Sequence, residues 1–461
     1  MGAVGDRIGR RKLLMIGAAA FAAASVLAAF STSPVMLIGS RALLGVAGAT
    51  LAPSTLALIS NMFHDPVERT KAIGIWIASF SVGAAVGPLL GGLLLEWFWW
   101  GSVFLLAVPA MALLLLIGPK LLPEFRNPNA GRGDPLSALL SLVALLTLVY
   151  ALKEVTRDGV GWLPVSLLAI GVAVGTAFVR RQQTAADPLV DLGLLRRPAF
   201  SAALAINAVG FFAVFGISFF TAQYLQLVLG LSPLEAGLWT LPSAAGFVVG
   251  SMLTPVAVRS ARAPTVVVTG LLIGVLGFAL LAGVPATSGL EVLVSGSVIF
   301  SIGLATVFTL ATDLMVSSAP PEQAGAASAI AETSSELGGA LGIAILGSVG
   351  TAIYRDEVEL PLGGAWQDAS AARETFAGAL DAAGGLSREV AAELVTSGGA
   401  AFTHGLQAAA GITAVALSLA AVVGLLVLRR ASDAGVAEGP SDAPGAVPVQ
   451  PGAVDATPVA A

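Results

Sequence analysis

The sequence predicts an all-α integral membrane protein, and three observations carry that prediction. First, 56% of the 461 residues are hydrophobic and only 11% are charged. A soluble domain carries about 25% charge, and an exterior this poor in charge would be one large apolar patch. Second, twelve apolar runs are long enough to cross a bilayer, each close to the requirement of about 20 residues. Third, the runs are apolar on every side and too long for barrel strands, which alternate over about 10 residues. A soluble enzyme and a disordered protein are thereby excluded. The net charge of -5 removes the basic footprint of a nucleic-acid binder. There is no Cys, and His64 and His404 lie far apart, so no metal, thiol nucleophile or disulfide is expected.

Residues 1–12 form a charged segment ahead of the first span. Four spans follow within 13–119, near 13–31, 36–61, 72–95 and 102–119. Two more occupy 136–179, near 136–152 and 162–179. Six lie within 200–428, near 200–226, 235–257, 265–284, 291–315, 324–352 and 402–428. Turn and charge signals separate them: His64 to Pro66, Gly131 to Asp134, Arg196 to Pro198, and Ala319 to Pro321. Interior Pro53, Pro88 and Pro242 do not end a span, because a packed membrane helix tolerates proline. No cleavable leader is expected, since eleven apolar runs follow the first. With the N-terminus placed inside, seventeen Lys and Arg fall on the cytoplasmic side, five outside, and Arg41 within a span. That bias puts both termini in the cytoplasm. Residues 355–401 make one external loop with eight acids against three Arg, and its Ala/Glu-rich stretches around Gly384 and Gly385 suggest two short helices. Residues 431–461 are rich in Ala, Gly, Pro and Val, and a disordered cytoplasmic tail is expected there.

Three motifs stand on this frame. Gly2, Gly5, Asp6, Arg7, Gly9, Arg10, Arg11 and Lys12 combine turn glycines, an acid suited to a helix N-terminus and a basic run suited to the lipid surface. A positive-inside flank explains the charges alone. Gly83, Gly87, Pro88, Gly91 and Gly92 form the second motif, with Gly83, Gly87 and Gly91 on one helix face where backbones can approach. Generic small-residue packing explains the glycines but not the Gly87–Pro88 pair. The third is Arg41 with Gly45 and Gly48. An Arg at that depth costs about 2.5–3.5 kcal/mol, so it faces a cavity or an acid, or it snorkels outward.

The first motif resembles the cytoplasmic loop signature of the major facilitator superfamily, which joins helices two and three. The second resembles the helix-five motif of that family's drug/proton antiporters. The third resembles its helix-four Arg motif, with Leu44 in place of the usual Gln. Both well-matched motifs are offset by two helices. The resemblance therefore implies a fourteen-helix carrier of which helices 3–14 are visible, with an incomplete N-terminal bundle over 13–119. The spans within 136–179 would be the two central linker helices, and 200–428 the C-terminal six-helix bundle. The stretch Ala319 to Ala344, together with the external loop as a helical hairpin, most resembles exporters of methyl viologen and quaternary ammonium compounds.

The chemistry centres on Glu332 and Glu336, four residues apart and therefore on one helix face. Counted from Ala324, Glu336 lies about 18 Å into the membrane, near the middle of a core about 30 Å thick. Carboxylates there are expensive unless they face water. Such a group can hold a proton or, ionised, attract a cation. Competition of the two for one site is antiport in its simplest form. One acid paired for structure alone is the plainer alternative. Asp313 is either a coupling residue or an interfacial one. Asn207, Gln223 and Gln226 either line a path or bond between helices. Phe211, Phe212, Phe215, Phe219 and Trp239 offer cation–π surfaces or simply pack.

The resemblance implies a proton-driven exporter of lipophilic cationic drugs in the bacterial plasma membrane, with no cofactor. No Walker-type phosphate loop is present. Two other readings are a specific antibiotic or metabolite exporter of the same family and a non-transporting remnant lacking the first helix pair.

Overall fold

The computed structural model describes residues 5, 8–63, 65–125, 134–158, 161–185, 192–318, 324–360 and 369–428. Every regular element among them is a helix. In order these are α1 (Arg10–Ala29), α2 (Pro34–Met62), α3 (Pro66–Trp97), α4 (Ser102–Leu105), α5 (Ala107–Leu121), α6 (Pro135–Asp158), α7 (Trp162–Thr184) and α8 (Leu192–Leu195). Then come α9 (Pro198–Gln223, closing in a π turn at Tyr224–Val228), α10 (Pro233–Ser260), α11 (Ala263–Leu281), α12 (Leu290–Ser317) and α13 (Ala324–Glu357). The last are α14 (Ala369–Glu374), α15 (Phe376–Ala383) and α16 (Arg388–Val423, closing in a π turn at Gly424–Leu428). Residues 1–4, 6 and 7 of the signature loop and residues 429–461, including the expected tail, lie outside the described residues.

Capping residues set the helix starts. Ser33 accepts from the Met36 amide at 3.2 Å with Pro34 as the first helical residue. Ser232 and Glu235 form a reciprocal capping box at the start of α10. Asp134 accepts from the Ser137 amide at 3.1 Å ahead of α6. Pro88 in α3, and Pro242 and Pro255 in α10, sit inside unbroken helices, as expected of membrane helices with packed neighbours.

Eleven helical segments among the described residues are long and apolar enough to cross a membrane, and Val86–Trp97 at the end of α3 is a shorter apolar stretch. As α3 runs 32 residues in all, it holds the remaining expected span. Two boundaries differ from the sequence expectation. The run near 102–119 is two helices, α4 and α5, parted at Leu106. The last span does not begin near 402, because α16 starts at Arg388 and continues unbroken. The first Ala-rich stretch of the loop forms α14 and α15. The second is the outer end of α16, since nothing between Arg388 and Val423 breaks a helix. Gly398 within it packs on the Phe376 ring of α15, 2.8 Å from where a Cβ would stand.

The six helices α9 to α13 and α16 form the tightest unit. In it α9 packs on α13 and α12, α10 on α12, and α11 on α12 and α16. Both clusters of buried apolar side chains draw only on residues from Leu194 onward, with Tyr224, Phe278 and Leu304 among the fully buried. The earlier helices pair α1 with α2 and α5, and α6 with α7. They join the six-helix unit where α3 meets α10 and α6 meets α13.

Candidate functional site

The seam between α9 and α13 is built by glycine. A Cβ on Gly338 would stand 2.3 Å from the Ala208 carbonyl oxygen, and one on Gly342 would stand 2.2 Å from that of Phe212. The two backbones therefore touch, and any larger residue would force them apart. Polar side chains complete the seam. The buried Asn207 amide donates to Ser335 Oγ at 2.8 Å, and Ser334 Oγ donates to the Leu204 carbonyl at 3.4 Å. Asn207 thus serves an interhelical bond. Gln223 and Gln226 bond the carbonyls of Phe219 and Ala222 in their own helix.

With Ser334, Ser335 and Gly338 turned to α9, Glu332 and Glu336 fall on the neighbouring face of α13. Both are exposed, and neither has a hydrogen bond or ion pair among the described residues. A membrane helix keeps two such carboxylates only where that face opens on water or a polar path. Asp313 is exposed one turn before the end of α12, away from this pair along the chain. Arg41 meets a ring rather than an acid, its guanidinium carbon 5.8 Å from the centre of Phe104 in α4. That is cation–π geometry.

Of the signature loop, Asp6 and Arg7 lie outside the described residues. Gly9 has φ 111°, open to glycine alone, and a Cβ there would stand 2.3 Å from Glu124 Oε1. Arg10 donates its amide to the Phe125 carbonyl at 2.9 Å. Arg11 reaches the carbonyls of Pro119 and Leu122 at 3.2 and 3.0 Å, which places a cation on the last turn of α5. Its amide also donates to Glu124 at 3.2 Å. The loop is thus docked on the end of α5. Glu124 is the partner that sequence reasoning missed, and its only signal was one acid in a basic flank.

The glycine–proline motif faces α10, but through a different stripe from the one expected. Among the described residues, Gly83 and Gly87 have nothing within 4 Å of a would-be Cβ, and Gly91 has only Val103, at 3.9 Å. Contact is made one residue further round, by Pro88 and Gly92. A Cβ on Gly92 would stand 2.6 Å from the Pro233 carbonyl, and one on Gly237 would stand 2.8 Å from that of Pro88. Residues 88 and 92 share a face about 100° from the 83–87–91 stripe.

Midway along α16, His404 Nδ1 pairs with a carboxylate oxygen of Glu357, the last residue of α13. Tyr354 donates to the Ala372 carbonyl at 2.9 Å and ties α14 down. Where α6 begins and α7 ends, Arg181 Nε and Nη2 grip Asp134 at 2.9 and 3.0 Å.

Comparison with known proteins follows the same lines. The sequence pattern of the Major Facilitator Superfamily matches residues 1–343. The chain is 43% identical over 430 residues to the multidrug efflux pump LfrA of Mycolicibacterium smegmatis, spanning 93% of this chain and 85% of that one. It is 34% identical over 396 residues to the methyl viologen resistance protein SmvA of Salmonella typhimurium, spanning 84% and 78%. Among solved structures, a bacterial homologue of the human lysosomal transporter Spinster, inward-facing and unoccupied, superposes with a TM-score of 0.59 at 18% identity, over 93% of this chain and 85% of that one. That likeness is one of fold.

Proposed function

The chain belongs to the major facilitator superfamily, and from that premise we propose that it exports lipophilic cationic drugs, such as quaternary ammonium compounds or methyl viologen, in exchange for protons. The observation that carries this is the carboxylate pair. Glu332 and Glu336 share an open face of α13, on a helix whose other side is locked to α9. A fixed pair of acids in a membrane binds either a proton or a cation, and the ion gradient decides which. The names of LfrA, a multidrug efflux pump, and SmvA, a methyl viologen resistance protein, support the substrate class. Protons, the lipid bilayer and small cationic drugs are then the partners, and no cofactor enters.

The test is Glu336→Gln in reconstituted vesicles. Drug-driven proton flux and ethidium efflux are expected to vanish, while the variant still inserts and extracts as the wild type does. Undiminished efflux from that variant would sink the proposal.

A further inference from the structure

Beside the carboxylate pair, four phenylalanine rings form a chain across three helices. Phe211 of α9 and Phe308 of α12 stand 4.5 Å apart, centre to centre. Phe215 of α9 lies 6.0 Å from Phe211, and Phe247 of α10 lies 6.1 Å from Phe308. Glycines seat the rings. A Cβ on Gly210 would collide with Phe308 at 2.6 Å, and one on Gly339 would meet the Phe215 ring at 3.1 Å. Gly339 is three residues beyond Glu336 on α13, so the ring chain ends within one helical turn of the carboxylate.

These rings are not packed away. Phe215 is 43% exposed and Phe247 38%. As α9 is enclosed by α12, α13 and α16, its open side is one stripe through Ala205, Phe215, Ser218 and Phe219. The outward surfaces of this half are aliphatic instead, as at Met252, Leu253 and Val256 of α10 and Leu272 and Leu276 of α11.

A ring face attracts a cation through its quadrupole, and a flat ligand gains further by stacking. We infer that Phe211, Phe215, Phe247 and Phe308 form a stacking subsite beside Glu336 that selects planar aromatic cations over aliphatic ammonium ions of the same charge. The inference rests on the proposed role of Glu336 and adds the shape of the ligand to it. The carboxylate and the ring quadrupoles act on either kind of cation, whereas stacking adds to the binding of a flat one alone.

The test uses the full chain in lipid nanodiscs. Ethidium binding is read by fluorescence anisotropy, and tetrapropylammonium by its competition. Phe215→Leu and Phe308→Leu are each expected to weaken ethidium about tenfold, through stacking and cation–π attraction together, and tetrapropylammonium by only about threefold or less, through cation–π attraction alone. Retained tetrapropylammonium binding also shows that the variants are folded. Phe215→Tyr, which keeps a ring, is expected to bind ethidium as the wild type does. Unchanged ethidium affinity in both leucine variants, or equal weakening of both cations, overturns the subsite. The carboxylate is read separately, since Glu336→Gln is expected to lose both cations. If it binds both normally, the carboxylate proposal fails, and with it the placing of the subsite beside a cation-holding acid.

Discussion

Gly9 illustrates how much one residue can hold. Its φ of 111° suits no side chain, and Glu124 occupies the space a Cβ would need. Gly9→Ala therefore meets both backbone strain and a collision, and strain of this kind alone costs about 1–3 kcal/mol. A lower thermal midpoint in detergent is expected. Gly9→Ala combined with Glu124→Ala is expected to recover none of that loss, because the carboxylate can swing aside from the new methyl while the strain stays and the contact of Glu124 with Arg11 is lost. The glycine was legible in the sequence as part of a turn motif. Its partner was not, because 113 residues separate Arg11 from Glu124 and no local pattern reports so distant a pair. The ring chain was half legible for a similar reason. Phe211 and Phe215 lie in a visibly aromatic helix, whereas Phe247 and Phe308 are single apolar residues among many.

At the scale of elements, spans are read well and their ends poorly. Twenty apolar residues are an unmistakable signal, but the outer end of α16 carries Arg388, Glu389 and Glu393 and looks like loop. It is helix because alanine favours helix wherever no breaker intervenes, and because Phe376 packs against it. The α6–α7 pair offers a pH test. The Arg181 guanidinium, helped by Ser137, holds the Asp134 carboxyl well below the usual carboxylate range. A depressed folded value means the stabilisation is complete above the ordinary pKa, declines as pH falls below it, and is gone once pH has fallen through the lowered one. The difference in thermal midpoint between wild type and Asp134→Asn is thus expected to stay constant from about pH 7 to about pH 5, and to narrow steadily below that as the unfolded carboxyl takes up its proton. Narrowing that levels off already above about pH 3 would show that the grip on Asp134 is weaker than its geometry indicates.

The whole molecule is lopsided. Its buried apolar clusters belong to the C-terminal part, and the helices before Leu194 are joined to that part along α3 and α6. Orientation is also a property of the whole chain, since it comes from a surplus of basic residues spread over many loops. The absence of cysteine makes it simple to check with single introduced thiols. Ser370→Cys, in the hairpin that the charge bias assigns to the outside, is expected to react with a membrane-impermeant maleimide in intact cells. Ser260→Cys, at the end of α10, is expected to react only after permeabilisation. The opposite pattern would invert the topology.

The unbroken length of α16 has a mechanical consequence. Its 36 residues make a rod of about 54 Å, against a hydrocarbon core of about 30 Å. Roughly 24 Å therefore stands beyond the core, with α15 braced against it. A tilt of about 10° around the membrane midplane would swing the outer tip by roughly 7 Å. The hairpin is a pointer held clear of the bilayer, and it magnifies any movement of the bundle into a displacement that a single fluorescent label could follow.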